Sequence, residues 1–350
     1  MVSPKLFIPA LLLAAASLLA LSSISISLFW NQLAWYALGF SFFVFFYFLD
    51  WRPFVSYPWI AKGIYGATIL VLIATFFLAP TIRGTRSWLV LGPFQFQPAE
   101  LAKAALIIVL AQYFARGHVG IAKLQNLILP AFYFAVPAVL ILLQPDMGSV
   151  LILFGIWFGF LLVSGLPTRR LIAFLLLFAV GGAVLWAGFL KTYQRDRIIG
   201  LFSPERDPLG ANYNVIQSKI AIGSAGFFGK GYGQGSQVQL GFLPEAPTDF
   251  IFSAFIEEWG IVSGLFIIGI VMYLIWNILA TGMKAEKNFE KFICLGVAIM
   301  FSVHFLINAG STLGLVPVIG VTFPFLSYGG SSILINSLLL AIVNSIAKRV

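Results

Sequence analysis

Residues 249–280 read DFIFSAFIEEWGIVSGLFIIGIVMYLIWNILA, with three acids near the beginning and a long apolar run behind them. The acids are Asp249, Glu257 and Glu258, and residues 259–280 contain no charged side chain. A helix needs about 20 apolar residues to cross the hydrocarbon core of a bilayer. The stretch therefore predicts a transmembrane helix whose first turns carry acidic side chains at one membrane surface.

The composition of the whole chain is typical of a membrane protein. Of the 350 residues, 60% are apolar and only 9% are charged, and the mean hydropathy is +0.99. A soluble globular domain carries about 25% charged residues, so a soluble enzyme, a disordered chain and a fibrous repeat are excluded. One cysteine and two histidines exclude a disulfide framework and a thiolate zinc site.

Charged residues and Pro or Gly clusters divide the chain into apolar runs. The predicted spans are residues 6–29, 32–49, 58–80, 98–115, 125–143, 147–165, 169–190, 249–280, 288–309 and 325–347. We expect an all-α polytopic membrane protein with about ten transmembrane helices. We also expect a single domain over residues 1–350, which includes a large extracellular loop, 191–248, before the eighth helix.

The positions of lysine and arginine predict the orientation, because short cytoplasmic loops carry an excess of both. If the N-terminus is cytoplasmic, twelve of the 21 fall in cytoplasmic segments, two in a short outer segment and six in the long loop. Long loops translocate regardless of charge, so both termini are predicted to be cytoplasmic. Nine of the twelve acids belong to the outer loops or to helices that lead from them, which places the polar chemistry outside.

The loop 191–248 is rich in glycine and in basic residues. Arg195, Arg197 and Lys219 are its candidate ligands for an anionic substrate. Residues 212–225 have spaced apolar side chains, which predicts a short helix in the membrane interface. A loop of this length is usually either functional or disordered, so a substrate-binding segment and a flexible solvated cap both remain open.

Asp249 and Glu257 are the candidate site acids on the predicted eighth helix. Asp249 follows two prolines and opens that helix, so it could cap the N-terminus, a role that Thr248 could also fill. We favour a functional role for Asp249, because ionisable side chains at membrane depth are costly and usually line a polar cavity. Glu257 either supports the same site or pairs with Lys103 or another buried cation.

Residues 83–103, RGTRSWLVLGPFQFQPAELAK, lead into the fourth predicted helix. Glu100 and Lys103 stand three positions apart, so they can pair on one helix face. The pair is either a plain internal salt bridge or a feature that shapes the site. Trp88 is either an interfacial anchor or a platform for a sugar or isoprenoid group.

Two further turns lie on the outer side, at residues 144–148 (QPDMG) and 325–332 (FLSYGGSS). Each has a Pro or Gly break beside polar residues at a helix end, and such ends can present backbone N–H groups to an anion. Ser327 is the candidate substrate ligand of the second turn, although both turns could be plain connections. We expect His304, in the ninth predicted helix, to form a hydrogen-bonded contact with another helix.

Several of these segments occur together in one known family. The chain resembles the SEDS family (shape, elongation, division and sporulation) over almost its whole length. The resemblance rests on RGTRSWLVLGPFQFQPAELAK (83–103), QPDMG (144–148), DPLGANYNVIQSKIAIGSAGFFGKG (207–231), FLPEAPTDFIF (242–252) and PVIGVTFPFLSYGGSS (317–332). QSKIAIGS (217–224) and PVIG (317–320) are closer to the elongation-system branch than to the division branch. The small departures are Ala246-Pro247 and Thr322-Phe323, and neither touches Asp249.

The resemblance implies a peptidoglycan glycosyltransferase that polymerises lipid II on the outer face of the bacterial cytoplasmic membrane, with a class B penicillin-binding protein as partner. It places the essential acid at Asp249 and a Glu/Lys pair at Glu100 and Lys103. It also implies an α-linked donor and a β-linked product, hence one displacement with inversion.

In such a reaction Asp249 would take the proton from the attacking hydroxyl. Cations would stabilise the leaving pyrophosphate, and a divalent ion, Mg²⁺ or Mn²⁺, could assist them. The candidate cations are Arg195, Arg197, Lys219 and Lys103. No metal site within the protein is predicted.

Two other classes of function are compatible with an apolar bundle. A lipid II flippase would move the substrate without chemistry, and a scaffold would only hold the penicillin-binding protein. A flippase predicts polar residues at both faces and through the middle of the bundle, whereas the acids of this chain gather on the outer side. A scaffold leaves a basic, Gly-rich loop that ends in an acid unexplained, so the enzyme is favoured.

Overall fold

The computed structural model describes residues 3–49, 57–82, 84–92, 94–117, 125–189, 192–203, 210 and 212–349. The α-helices in these ranges are α1 (Pro4–Ile24), α2 (Ile26–Phe48), α3 (Pro58–Leu78), α4 (Pro98–Gly117), α5 (Gln125–Leu143), α6 (Met147–Val163), α7 (Thr168–Val184), α8 (Thr192–Phe202), α9 (Tyr213–Ser224), α10 (Ser236–Gln239), α11 (Ile251–Lys284), α12 (Asn288–Thr312) and α13 (Gly330–Ala347). A π-helical segment, Leu185–Phe189, follows α7. Strands β1 (Leu89–Leu91) and β2 (Phe94–Phe96) form an antiparallel hairpin before α4.

The predicted all-α polytopic fold is confirmed. Among the described residues, nine helices are long and apolar enough to cross a membrane, and α6 is a shorter apolar helix. These ten helices, α1–α7 and α11–α13, coincide with the ten predicted spans. The chain is a multi-pass membrane protein.

The boundary between the first two helices is earlier than predicted, because α1 ends at Ile24 rather than at residue 29 and α2 begins at Ile26 rather than at residue 32. Two later helix starts also differ from the prediction. Helix α11 begins at Ile251 rather than at residue 249, and α13 begins at Gly330 rather than at residue 325. The second difference has a local cause, because Phe325 has a φ of 56°, which an α-helix does not allow. Residues 321–329 therefore form a turn segment that leads into α13.

The loop before α11 is partly helical. Helix α9 confirms the short helix predicted at 212–225, whereas α8 and the hairpin β1–β2 were not predicted. The described part of this loop packs on the bundle through α9, which contacts α11 and α12. This packing excludes a freely solvated cap for α9.

The centre of the bundle consists of α4, α12 and α13. In their membrane-spanning windows 78%, 61% and 78% of residues are buried, against none in α7, which lies at the periphery. Helix α6 approaches α12 closely through Gly155 and Gly159, where an added Cβ would lie 2.7 Å from Val303 and Ile299. Small residues four apart allow such close packing of membrane helices.

Helix α11 is broken at Gly260, which has φ 85° and ψ 170°. The backbone of loop 226–231 fills the break. Lys230 N and Gly231 N donate to the carbonyls of Glu257 and Glu258 at 2.9 and 3.0 Å. On the other side, the next two amides of α11 donate to the carbonyls of residues 226 and 227. A helix break inside a membrane protein leaves backbone groups that need partners, and the Gly-rich loop supplies them.

Candidate active site

Asp249 lies in a turn two residues before α11, and its side chain is partly buried. Phe250 occupies the N-cap position of α11, and its side chain accepts no capping hydrogen bond. Thr248 donates instead to Glu245 Oε2 at 3.1 Å. Neither Asp249 nor Thr248 therefore occupies the N-cap position predicted from the sequence, because the helix starts later than the prolines suggested.

Hydrogen bonds to the backbone on both sides position Asp249. Asn308 Nδ2 donates to the carbonyl of Asp249 at 2.9 Å and to that of Val321 at 2.7 Å. Ser327 Oγ donates to the carbonyl of Thr248 at 2.6 Å. These bonds tie the residues around Asp249 to α12 and to the turn segment 321–329.

The carboxylate of Asp249 borders open space. Gly320 has a φ of 71°, and a Cβ added to it would meet one atom within 4 Å, Oδ2 of Asp249 at 3.8 Å. A glycine is needed here for its backbone conformation. Its missing side chain also leaves room beside the acid in which a substrate hydroxyl could stand.

The predicted pair of Glu100 and Lys103 is present and buried. Lys103 Nζ lies 2.7 Å from Glu100 Oε1, with side-chain exposures of 1% and 5%. Lys103 Nζ also contacts His304 Nε2 at 3.0 Å, and His304 Nδ1 contacts the carbonyl of Thr322 at 3.0 Å. Because an ammonium group only donates, Nε2 accepts and Nδ1–H donates. The contact between helices predicted for His304 is confirmed.

The acid and the ion pair meet at one segment of chain. His304 and Asn308 stand one turn apart on α12, and they hold Thr322 and Val321, respectively. Asp249 is therefore connected to the buried lysine through two side chains of α12 and residues 320–322. The sequence motifs around residues 100, 249 and 320 thus form one site.

Asp146 has a structural role in the turn 144–148. It accepts from Ser149 N at 3.0 Å and from Ser149 Oγ at 2.8 Å, which caps α6, and from Gln97 Nε2 at 2.7 Å. Gly148 packs so closely on this region that an added Cβ would lie 2.5 Å from the carbonyl oxygen of Ile319. The turn supports the segment beside Asp249, and Ser149 N is not available to an anion.

Ser327 is also occupied within the protein. Its hydroxyl donates to Thr248 O and accepts from Phe323 N at 2.8 Å, and the residue is 3% exposed. The predicted role as a substrate ligand conflicts with these contacts. Ser327 holds the turn segment against the residue that precedes Asp249.

Glu257 turns away from Lys103. Its Oε1 pairs with Lys230 Nζ at 2.8 Å and accepts from Gln237 N at 3.1 Å, and the residue is fully buried. The pairing with Lys103 considered from the sequence is therefore wrong, whereas the alternative of another cation is confirmed. The reason is the break at Gly260, which brings the Gly-rich loop and its lysine against this face of α11.

The remaining candidates lie at or near β1, α8 and α9. Trp88 is partly buried just before β1. Arg195 Nη2 lies 3.5 Å from the carbonyl of Ala187. Lys219 is exposed, and the end of its side chain lies over Gly314. Arg197 lies in α8, and its side chain is outside the described part of the structure. Trp88, Arg195 and Lys219 take no part in the hydrogen bonds described above that connect Asp249 to Lys103.

A metal held by the protein is not supported by the described residues. Within the ranges given above, no three His, Cys, Asp or Glu side chains stand together as a metal would require. A divalent ion held between one or two carboxylates and the phosphates of the substrate stays a prediction.

The family described as "cell cycle protein", FtsW/RodA/SpoVE, matches residues 4–350. The chain belongs to this family. The resemblance seen in the motifs is thereby confirmed, because FtsW, RodA and SpoVE are the SEDS proteins.

Relatives with curated names cover most of this family member. Peptidoglycan glycosyltransferase MrdB of Escherichia coli K12 is 37% identical over 294 residues, 84% of this chain and 79% of the relative. A probable peptidoglycan glycosyltransferase FtsW of Nitrosococcus halophilus is 35% identical over 282 residues, 79% of this chain and 71% of the relative.

Solved structures of the same fold match nearly the whole chain. One comes from work titled "Structural coordination of polymerization and crosslinking by a peptidoglycan synthase complex", with 32% identity, a TM-score of 0.83 and coverage of 99% of this chain and 98% of that one. The rod shape determining protein RodA of Thermus thermophilus matches with 28% identity, a TM-score of 0.73 and coverage of 99% and 97%.

The roles of two residues of this SEDS protein were not predicted from the sequence. Asn308 holds Asp249, and Glu258 accepts from Ser23 Oγ of α1 and from Gly233 N of the Gly-rich loop. A polar residue one turn after His304 was a usable signal for Asn308. Nothing local pointed to the partners of Glu258.

Proposed function

We propose that this chain polymerises lipid II into glycan strands on the outer face of the cytoplasmic membrane, with Asp249 as the catalytic base. The class of reaction follows from the family, since its relatives are named peptidoglycan glycosyltransferases, and the chain is an enzyme of that class. The likeness to MrdB and RodA supports a role in elongation and rod shape. The observation that carries the mechanism is the partly exposed Asp249 carboxylate beside the open space at Gly320.

Chain extension needs a proton acceptor and a stabilised leaving group. Asp249 takes the proton from the attacking sugar hydroxyl as the new glycosidic bond forms. The bond from the donor sugar to the lipid pyrophosphate breaks at the same carbon from the opposite side, which inverts its configuration. One carboxylate is enough, because no covalent intermediate forms.

Positive charge near the site stabilises the pyrophosphate as it leaves. The exposed Lys219 and the partly exposed Arg195 are suited to bind it directly, and Arg197 and Trp88 remain candidates. Lys103 already donates to Glu100 and His304, so two of its three N–H groups are used. Its charge acts across the segment 320–322, which it helps to hold.

A class B penicillin-binding protein is the partner that we propose. A matching structure comes from a peptidoglycan synthase complex in which polymerisation and crosslinking are coordinated. A polymerase that makes uncrosslinked strands needs such a transpeptidase. The proposed orientation, with both termini cytoplasmic and Asp249 outside, also follows the distribution of lysine and arginine.

The test replaces Asp249 by asparagine in purified protein reconstituted into liposomes with lipid II. Loss of a general base lowers a rate by roughly 10²–10⁴-fold, so glycan strands should disappear from a gel. Glu245→Gln is the matched control, because Glu245 is also a partly buried acid of this turn. It should polymerise at a rate close to that of the wild type. A folded Asp249→Asn protein with normal polymerisation would disprove the base assignment.

A further inference from the structure

A cavity of about 290 Å³ lies between α3, α4 and α5, at the end of the bundle opposite Asp249. Arg116, which lines it, stands about 24 Å along α4 from Glu100, since each residue adds 1.5 Å. With the termini in the cytoplasm, as proposed above, this cavity opens at the cytoplasmic surface of the membrane.

Two cations from different helices face this cavity. Lys62 of α3 and Arg116 of α4 both line it and both have exposed side chains. Neither is joined by an ion pair or a side-chain hydrogen bond to any residue in the described ranges, unlike Lys103 and Lys230. Two like charges at one cavity repel each other, and an anion placed between them would remove that repulsion.

The position of the cations on this side is expected, but their convergence is not. Cytoplasmic ends of membrane helices carry lysine and arginine as a rule. That rule does not require two helices to direct their cations to one cavity that also has polar lining. The polar lining residues are Gln112, Tyr113 and Asn126.

The other walls are apolar and lead towards the lipid. Val109 and Leu129 line the cavity. Beside it, Trp59 of α3 and Ile128 and Phe132 of α5 are 71%, 65% and 58% exposed. A ligand with an anionic head and long apolar chains would match the cations and these exposed faces at once.

We propose that this cavity binds the phosphate of an anionic phospholipid of the cytoplasmic leaflet, with its acyl chains along α3 and α5. Basic pockets between membrane helices on this side are suited to such headgroups. Phosphatidylglycerol carries the required charge, whereas phosphatidylcholine has the same phosphate neutralised by choline. The proposal concerns lipid binding and depends on the orientation, not on the proposed reaction.

The test measures lipid retention by native mass spectrometry of the purified full chain with phosphatidylglycerol or phosphatidylcholine. The variant Lys62→Gln/Arg116→Gln removes two charges at the cavity. The matched control, Lys284→Gln/Lys287→Gln, removes two exposed cations that do not line it. Each cation near an anionic lipid contributes about a factor of five. The cavity variant should therefore bind phosphatidylglycerol roughly 25-fold more weakly, and the control should bind it like the wild type.

Three results would overturn the proposal. If phosphatidylglycerol binding weakens equally in both double variants, the lipid is attracted by diffuse surface charge and not bound at this cavity. Equal retention of phosphatidylcholine would mean that charge is not recognised. Displacement of phosphatidylglycerol by an equal concentration of glycerol 3-phosphate would mean a site for a soluble anion. The mutated side chains are exposed, and unchanged thermal unfolding in detergent confirms that a loss of lipid is not a loss of fold.

Discussion

Asn308 directs one side-chain amide to two backbone carbonyls, those of Asp249 and Val321, and it is 1% exposed. A buried amide that serves two carbonyls has no substitute in the apolar core. It joins the turn that carries the proposed base to the segment that faces it. The position of Asp249 therefore depends on a residue 59 positions away.

Replacement of Asn308 by alanine should affect both stability and rate. It leaves two carbonyls without this donor, which should cost about 1–3 kcal/mol and let Asp249 move away from the substrate. The control is Asn344→Ala, which removes a buried acceptor for Ser3 N at the other end of the bundle. The temperature of thermal unfolding should fall in both variants. The polymerisation rate per folded molecule should fall in Asn308→Ala only, and an equal fall in both would refute the positioning role.

Lys103 and Glu100 allow a test of charge balance. Lys103→Met leaves the buried carboxylate of Glu100 without its cation, which should cost about 3–5 kcal/mol. The double variant Glu100→Gln/Lys103→Met should regain most of this stability in thermal unfolding. If the charge of Lys103 assists the leaving pyrophosphate, the double variant will be stable but slow. Full recovery of polymerisation would show that the pair is only structural.

At the scale of elements, the break in α11 determines where the Gly-rich loop lies. The amides and carbonyls freed at Gly260 are paired by the loop backbone, and Glu257 and Glu258 pair with its side chains and amides. The loop therefore closes one side of the bundle near the start of α11. The break and the loop form one unit, because neither can satisfy its backbone without the other.

Gly260→Ala should undock this loop. Alanine is disfavoured at a φ of 85°, and its Cβ would overlap the carbonyl oxygen of Phe227. Gly269→Ala in the same helix is the control, because its Cβ would meet no atom within 4 Å. Hydrogen exchange at the amides of Lys230 and Gly231 should become faster in Gly260→Ala alone. Unchanged exchange there would contradict the role of the break.

At the scale of the whole molecule, the orientation can be tested by cysteine labelling. Cys294 is buried and fully inaccessible, so its background reaction should be small. Phe228→Cys, on an exposed loop position, should react with a membrane-impermeant maleimide in intact cells. Lys284→Cys, at the opposite end of α11, should react only after the membrane is opened. The reverse pattern would place Asp249 in the cytoplasm and refute the proposed reaction on the outer face.

The membrane spans and the Glu100–Lys103 pair could be predicted from the sequence by itself. Both follow from local rules, because a span needs only a sufficiently long apolar run and residues three apart share a helix face. The short helix α9 is predictable as well, because the spacing of its apolar side chains is a local pattern. The family likewise follows from motifs that stand in order along the chain.

Only the tertiary structure decided which distant residues meet. Lys103 contacts His304, 201 residues away, and Glu257 pairs with Lys230 because a glycine breaks α11 where the loop can enter. Ser327, chosen as a substrate ligand, instead fastens one turn to another. Such contacts depend on how whole helices pack, and packing is set by the sum of many side chains rather than by any local pattern.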